Sequence, residues 1–549
     1  MKVAPTFLLS AVTAAWTFAQ TPAQPALPAS KPRLVVVISV DQMRYDYLVR
    51  FRSLYTGGFK TLLDRGASFS KARYLHANCE TGPGHSVILS GRDAEYSGIV
   101  ANTWYDAALG RIVNVVDDPA SLPVGGSGRG ASPVNFIGFT LGDMLKRAAP
   151  ATKVVGVSLK DRAAVLMAGP RGDAAYWYES GNGRFITSTY YMKTAPVWLD
   201  AINARLIPDS YAGKGWTKLL SDDSAYRTHA GDDAVPTEGD TKETTFPHPL
   251  HGEPGSAAFY EDFRRTPFAD ELTLEVALAA MKAHELGSDD TPDVLAIGFS
   301  ATDVIGHAYG PDSHEIMDQM LRLDRTLKRL FDAVEAKVGP NRALFVLTAD
   351  HSVMPLVESL QKQGFAARRV VPMDLQDAVM AALEKRFPGK KELVAAYLPP
   401  DFHLNLDSIA HQGLKRQDVE KVIGDALLAT GTVARIYTAS TFAGGAPDPS
   451  ADPYFDAVRR SYFEPRSPQV IARLREYMYL TSSPGGTGHG TAYEYDRHVP
   501  LIFMGRSIKA GAYDGESAPE DIAATLGLIL GIDYPLQDAR RRLTEMLIP

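Results

Sequence analysis

The sequence predicts an α/β protein with a mainly parallel central sheet and insertions at the active-site edge, and three observations carry that prediction. Short β-branched runs alternate with helical stretches, as parallel strands and their crossovers do. The runs are mostly apolar rather than alternating, which suits strands covered on both faces. Each run also stops at a polar or charged residue. Residues 34–40 (LVVVISV) end at Asp41, 153–159 (KVVGVSL) end at Lys160, 293–300 (DVLAIGFS) lead to Asp303, and 343–348 (ALFVLT) lead to Asp350 and His351. Residues 500–504 (PLIFM) read as a further core strand. Open α/β sheets bind ligands beyond the carboxyl ends of their strands, so tips spread from Asp41 to His351 are expected to converge on one crevice.

Around these strands the composition is that of a globular chain. Of 549 residues, 45% are hydrophobic and 22% charged, which excludes disordered, collagen-like and coiled-coil classes. With 57 basic against 64 acidic residues the net charge is -7, so nothing in the overall charge supports nucleic acid as a main partner. The start of the chain, with Lys2, an apolar run over 7–18 and Thr17-Phe18-Ala19, is expected to be a secretory signal peptide (1–19) cleaved after Ala19. A Pro/Ala/Gln tether (20–32) follows. The apolar run is shorter than the ~20 residues of a spanning helix, and no cysteine stands there for a lipid anchor. The expectation is a periplasmic or secreted protein without a membrane anchor. Cys79 is the only cysteine, so no intrachain disulfide forms. It reads as a small, partly buried residue, with a thiol near Thr81 as the alternative.

Residues 33–549 are expected to form one catalytic domain with two insertions. The first, about 171–263, is rich in Tyr, Trp, Gly and Asp and has no clear helical period. Tyr176, Trp177 and Tyr178 within it read as a structural aromatic cluster, with stacking on an aromatic leaving group as the alternative. The second, about 355–484, mixes amphipathic helices (373–385, 417–428) with strand-like 392–398 and 402–406.

The strand tips carry the chemistry. Asp303 and His307 are four apart, so on a helix both project from one face, as paired metal ligands often do. Asp350-His351 and Asp41 each have an ordinary explanation as helix caps or surface residues. Their joint placement at neighbouring tips is what makes them candidate ligands. His489, in 483–490 (SPGGTGHG), adds an imidazole on a glycine-rich loop that permits close approach to an ion or phosphate. Together they supply enough nitrogen and oxygen donors for two Zn²⁺-type sites, and the absence of cysteine suits catalytic rather than structural zinc. A nucleophile is sought in 78–90 (NCETGPGHSVILS). Gly82, Pro83 and Gly84 are expected to turn the chain into a helix beginning near His85, leaving the Thr81 hydroxyl exposed beside its N-terminus. A hydroxyl attacks at neutral pH only when activated, and a metal can hold it as an alkoxide.

The ordered set Asp41, Thr81-Gly-Pro-Gly-His85, Asp303-x-x-x-His307, Asp350-His351 and Gly-His489-Gly resembles the alkaline phosphatase superfamily, in the branch with a threonine nucleophile. That branch includes the nucleotide pyrophosphatase/phosphodiesterases and the PafA-type periplasmic phosphatases. The resemblance implies a three-layer sandwich. It also implies one zinc on Asp303, His307 and His489, and a second on Asp41, Asp350, His351 and the Thr81 hydroxyl. Asn102 matches a phosphate-contacting asparagine, and Lys160-Asp-Arg162 matches the Lys-x-Arg pair of the PafA-type monoesterases. Charge favours that branch: a monoester presents a dianionic phosphoryl group with an extra non-bridging oxygen, which a cation pair can stabilise. The implied activity is hydrolysis of small-molecule phosphate monoesters through a phosphothreonine, releasing inorganic phosphate, with phosphodiester or pyrophosphate hydrolysis as the alternative. A sulfatase needs a Cys-x-Pro-x-Arg segment. Here the aligned residues are Thr81-Gly-Pro83-Gly-His85, and Cys79 stands two places away. A binding protein without activity is disfavoured because nucleophile and ligand positions are all retained.

Overall fold

The computed structural model describes residues 31–239, 243–444 and 450–548. The expected signal peptide and all but the last two residues of the tether lie outside them. One large sheet contains ten strands. In chain order they are β1 (Leu34–Val40), β2 (Ala67–Phe69), β3 (Pro123–Val124), β4 (Val154–Ser158), β5 (Ala174–Glu179), β6 (Arg184–Ser188), β7 (Asp293–Phe299), β8 (Ala343–Thr348), β9 (Leu501–Gly505) and β10 (Gly511–Tyr513). Their order across the sheet is β10-β2-β9-β8-β1-β7-β4-β5-β6-β3. The strands β8, β1, β7, β4 and β5 run parallel, with Val36 opposite both Phe345 and Leu295. Antiparallel strands flank them: β9 on β8 at one side, β6 on β5 at the other. The expected strand at 500–504 is β9, fully buried over Leu501–Met504.

Every residue of β1 and β7 is buried, which explains why their runs are mostly apolar and do not alternate. The alternation of side chains still operates, but it points apolar groups into two cores instead of one core and solvent. Seven helices matter here: α1 (Thr81–Ile88), α2 (Leu141–Ala148), α3 (Asp161–Ala168), α4 (Pro267–Ala283), α5 (Ala301–Tyr309), α6 (His314–Val338) and α7 (Asp521–Ile529). Val36, Ile38, Leu295 and Ile297 share a core with Leu274 and Ala277 of α4 and Met320 and Leu327 of α6. Val35, Val37, Val294 and Ala296 share the opposite core with Leu141 and Leu145 of α2 and Ile522 and Leu526 of α7. The architecture is therefore helix, sheet, helix.

Residues 174–188, within the stretch expected to be inserted, are β5 and β6 of the main sheet. Aromatic residues suit strands, and Tyr176, Trp177 and Tyr178 are core residues that alternate between two apolar clusters. Beyond them the stretch is short helices joined by loops, Val197–Asn203, Asp223–Ala230 and Ala257–Arg264. The 355–484 stretch builds a small core of its own. Helices Pro372–Arg386 and Arg416–Ala429 bring Leu375, Val379, Val419 and Ile423 together over Phe402 and Val470. No helix among the described residues is long and apolar enough to cross a membrane.

Candidate active site

The parallel strands place their carboxyl ends side by side, and the candidate residues meet there. Asp41 follows β1, Lys160 precedes α3, Asp303 and His307 lie on α5, and Asp350 and His351 follow β8. Lys160 Nζ is 2.7 Å from Asp303 Oδ2, 3.1 Å from Asp41 Oδ2 and 3.3 Å from Thr81 Oγ1. Arg162 Nη2 lies 3.4 Å from the same hydroxyl.

The helix that carries Thr81 differs from expectation in where it begins. It starts at Thr81 rather than near His85. Pro83 sits in the first turn, where its missing N–H leaves no helical bond unmade. The Gly82 N–H donates to Asn102 Oδ1 at 2.7 Å, and the Asn102 N–H donates to Glu80 Oε2 at 2.6 Å, which fixes Asn102 beside Thr81. Gly84 allows the helix to lie against the Asp350 backbone, since a Cβ there would fall 2.1 Å from the Asp350 carbonyl oxygen.

Four imidazoles are oriented alike. Nδ1 of His307 is 2.8 Å from the Thr487 carbonyl, that of His489 2.7 Å from Cys79, that of His351 3.0 Å from Ser352, and that of His85 2.9 Å from Thr81. A carbonyl only accepts, so each Nδ1 carries a proton and each Nε2 is turned inward, its lone pair available to an ion when the ring is neutral. In one cluster His307 Nε2 and His489 Nε2 are 3.2 Å apart and lie 3.4 and 3.6 Å from Asp303 Oδ1. In the other, His85 Nε2 is 3.2 Å from Asp41 Oδ1, and His85 Nδ1 is 3.4 Å from Asp350 Oδ2. His351 Nε2 sits between the clusters, 3.3 Å from Asp350 Oδ2 and 3.9 Å from Asp303 Oδ1. Both Asp41 carboxylate oxygens, Asp350 Oδ2, His351 Nε2 and His85 Nε2 are buried without a hydrogen-bond partner. At these atoms ring nitrogens and carboxylate oxygens face one another with few donors between them, an arrangement a bound cation resolves, and the mixed imidazole and carboxylate donors fit a metal ion of the zinc type.

The model of the type I phosphodiesterase / nucleotide pyrophosphatase family matches residues 35–498. This chain belongs to that family. It is 34% identical over 540 residues to the alkaline phosphatase PafA of Elizabethkingia meningoseptica, covering 96% of each chain. To the alkaline phosphatase PhoV of Synechococcus elongatus it is 32% identical over 527 residues, 94% of this chain and 93% of that one. The crystal structure of wild-type PafA superimposes with a TM-score of 0.88 at 33% identity, covering 95% of this chain and 100% of that one.

Charges in this family member's site are set by burial working against close partners. Burial alone would raise the Asp41 pKa, but Lys160 and His85 outweigh it and hold the carboxyl down to about 2. The same contest at Asp303 is won by Lys160 and His307, which hold it well below the usual carboxylate range. Burial opposes the charged form of Lys160, yet Asp303 and Asp41 keep its pKa raised. Burial, with His351 and His307 nearby, pushes His489 well below the ordinary imidazole value, so it stays a neutral donor. Cys79 is fully buried, and burial drives its thiol well above the normal range, which removes it as a nucleophile. Its contribution is the carbonyl that orients His489.

Two residues at the centre of this site were given no role from the sequence. His85 belongs to the Thr81 motif, and its spacing of four from Thr81 was the available signal for a shared helix face. Gln42 follows Asp41 directly. Its backbone N–H donates to Asp350 Oδ1 at 3.0 Å and its side-chain amide to Asp303 Oδ1 at 2.9 Å, so it joins the two clusters. It does so from the left-handed region, at φ 63.

Proposed function

We propose that this family member is an alkaline phosphatase that uses two zinc ions to hydrolyse phosphate monoesters through a phosphothreonine on Thr81. The observation that carries the reading is the position of the Thr81 hydroxyl, on a helix N-terminus beside the inward-facing ligand atoms and in contact with both Lys160 and Arg162. The similarity to PafA and PhoV, both alkaline phosphatases by name, supports it.

Asp303, His307 and His489 would hold one ion, and Asp41, Asp350, His351 and Thr81 the other, with His85 packed against Asp41 and Asp350. Bound zinc supplies Lewis-acid stabilisation of a nucleophilic and a leaving oxygen. In the first half-reaction Thr81 Oγ1 gives up its proton to solvent and forms a bond to phosphorus as the bond to the leaving oxygen breaks in line and that oxygen takes a proton from solvent; in the second, water loses a proton as it displaces Thr81, Thr81 Oγ1 is reprotonated, and inorganic phosphate departs. Asn102 accepts from Gly82 through Oδ1, so its NH₂ is the part left to donate to a phosphoryl oxygen. Lys160 and Arg162 already touch Thr81 Oγ1 and are placed to bind the non-bridging oxygens of a phosphoryl group carried there. Such a cation pair suits the dianionic phosphoryl group of a monoester. A diester carries an organic substituent in place of one of those oxygens. The apolar run at 7–18 after Lys2 supports export to the periplasm or medium.

The test is steady-state kcat/KM for an aryl phosphate monoester and the matching diester, with and without added zinc. A monoester preference of orders of magnitude that tracks zinc content is expected. A diester preference transfers the reading to phosphodiester hydrolysis, which the name of the matched family also describes.

A further inference from the structure

The catalytic groups open into a cleft of ≈ 480 Å³ whose lining runs from Lys160, Arg162, Asp303 and His307 to Glu261, Arg264 and Arg265. Arg264 also lines the adjoining cleft, whose other charged residues are Arg129, Lys160 and Arg162 with Asp161 and Glu179. The two arginines stand at the end of helix Ala257–Arg264, where the helix dipole favours cations, within the stretch that follows β6. Glu261, one turn earlier, clamps the Arg264 guanidinium through both Nε, at 3.1 Å, and Nη2. Arg265 Nη2 is 3.9 Å from Glu261 Oε1, beyond hydrogen-bond contact, and its side chain is 53% exposed. One glutamate therefore faces two guanidiniums, and this wall of the cleft keeps a positive charge that the transfer of a phosphoryl group does not require.

We propose that Arg264 and Arg265 form a second anion subsite, selecting phosphate monoesters whose leaving group carries its own phosphate or carboxylate. The inference rests on the monoesterase reading and deepens it. The phosphoryl group is taken by Thr81, Asn102, Lys160 and Arg162, and the leaving group extends along the cleft toward the arginines. A planar guanidinium held on one edge by Glu261 still presents its remaining N–H groups, a geometry that matches carboxylate and phosphate oxygens. The contact is at the rim, so its effect should weaken as salt screens it.

The probes are 3-carboxyphenyl phosphate and its uncharged partner 3-carbamoylphenyl phosphate, with the two matching phosphonates as non-hydrolysable ligands. In the zinc-loaded wild type the carboxylate ester should be favoured about fivefold to tenfold in kcat/KM at low ionic strength. Arg265→Ala should shrink that ratio, the Arg264→Ala/Arg265→Ala double variant should bring it to about one, and Arg265→Glu should invert it. Arg265→Lys should restore part of it, and melting temperatures identify a variant that fails to fold. A wild-type ratio of one, or a ratio the variants leave unchanged, overturns the subsite. Calorimetric Kd values for the two phosphonates separate this from the parent reading. Absence of ester turnover refutes the phosphatase, whereas equal Kd values refute the subsite.

Discussion

Gln42 offers the sharpest perturbation of the site, because one buried residue ties a carboxylate of each cluster. It holds a conformation that costs an L-residue about 1–2 kcal/mol, and it spends that strain on two bonds to carboxylates. Gln42→Ala keeps the strain and the backbone bond but removes the amide from Asp303 Oδ1. A hydrogen bond to a charged group is worth about 1.5–3 kcal/mol, and loss of an outer partner of a metal ligand typically weakens metal binding about 10–100-fold. Gln42→Gly makes the same deletion while releasing the backbone, so it should be more stable than the alanine variant yet bind metal equally poorly. Gly306→Ala makes the deletion from the other side, since its Cβ would fall 2.0 Å from Gln42 Oε1. The assay is zinc titration of full-length protein against a chelating dye, with thermal unfolding of the metal-free form in parallel. Wild-type zinc affinity in both Gln42→Ala and Gly306→Ala would refute the bridging argument.

Further outcomes follow from the same geometry. Thr81→Ala should abolish most turnover and retain most of the bound metal, and wild-type activity would exclude the covalent step. Gly84→Ala must part the helix carrying Thr81 from the Asp350 backbone, because its Cβ would lie 2.1 Å from the Asp350 carbonyl oxygen and neither backbone yields easily. A loss of about 1–3 kcal/mol in denaturant unfolding is expected, together with impaired turnover. Away from the site, buried His76 places Nδ1 3.1 Å from Asp93 Oδ1 and 3.4 Å from Glu520 Oε1. Burial opposes its charge, but the two carboxyl groups raise its pKa to about 9. The folded pKa lies above the unfolded value, so this stabilisation, up to about 3 kcal/mol, is fully present below about pH 6.5 and is lost as pH rises through about 9. His76→Gln should flatten the alkaline limb of the stability profile, and parallel wild-type and variant profiles would refute that assignment.

The sequence made the strand tips legible for a physical reason. A strand buried on both faces carries few polar positions beyond small hydroxyls such as Ser39, Ser158 and Thr348, so Asp41, Lys160, Asp303 and Asp350 stand out at or just after the ends of mostly apolar runs. Helices with one wet face were legible too, and those expected at 373–385 and 417–428 extend one residue further at each end. What stayed hidden depends on tertiary contact. Gly82, Pro83 and Gly84 have turn propensities, yet helix α1 begins before them because Asn102 holds the Gly82 N–H and Gly84 packs on Asp350. The aromatic residues of 174–188 carry no simple alternation because both of their faces meet core. Gln42 in the left-handed region and His85 between two aspartates look like ordinary flanking residues until the strands are assembled.

Lys160 brings these threads to a decision between two roles. Its ammonium contacts one carboxylate from each ligand cluster, Asp41 and Asp303, as well as the Thr81 hydroxyl. A cation so placed competes for the carboxylate charge that a metal ion would use, while under the proposed function it also binds the phosphoryl group carried on Thr81. The two functions predict opposite signs. Lys160→Ala should depress kcat/KM for a phosphate monoester by orders of magnitude, far more than for the matching diester, yet leave zinc affinity unchanged or tighter. Replacement of a ligand such as Asp303→Ala should lower both. If Lys160→Ala loses zinc and activity together, the lysine organises the ligand carboxylates, and the charge argument for monoester preference then rests on Arg162 alone.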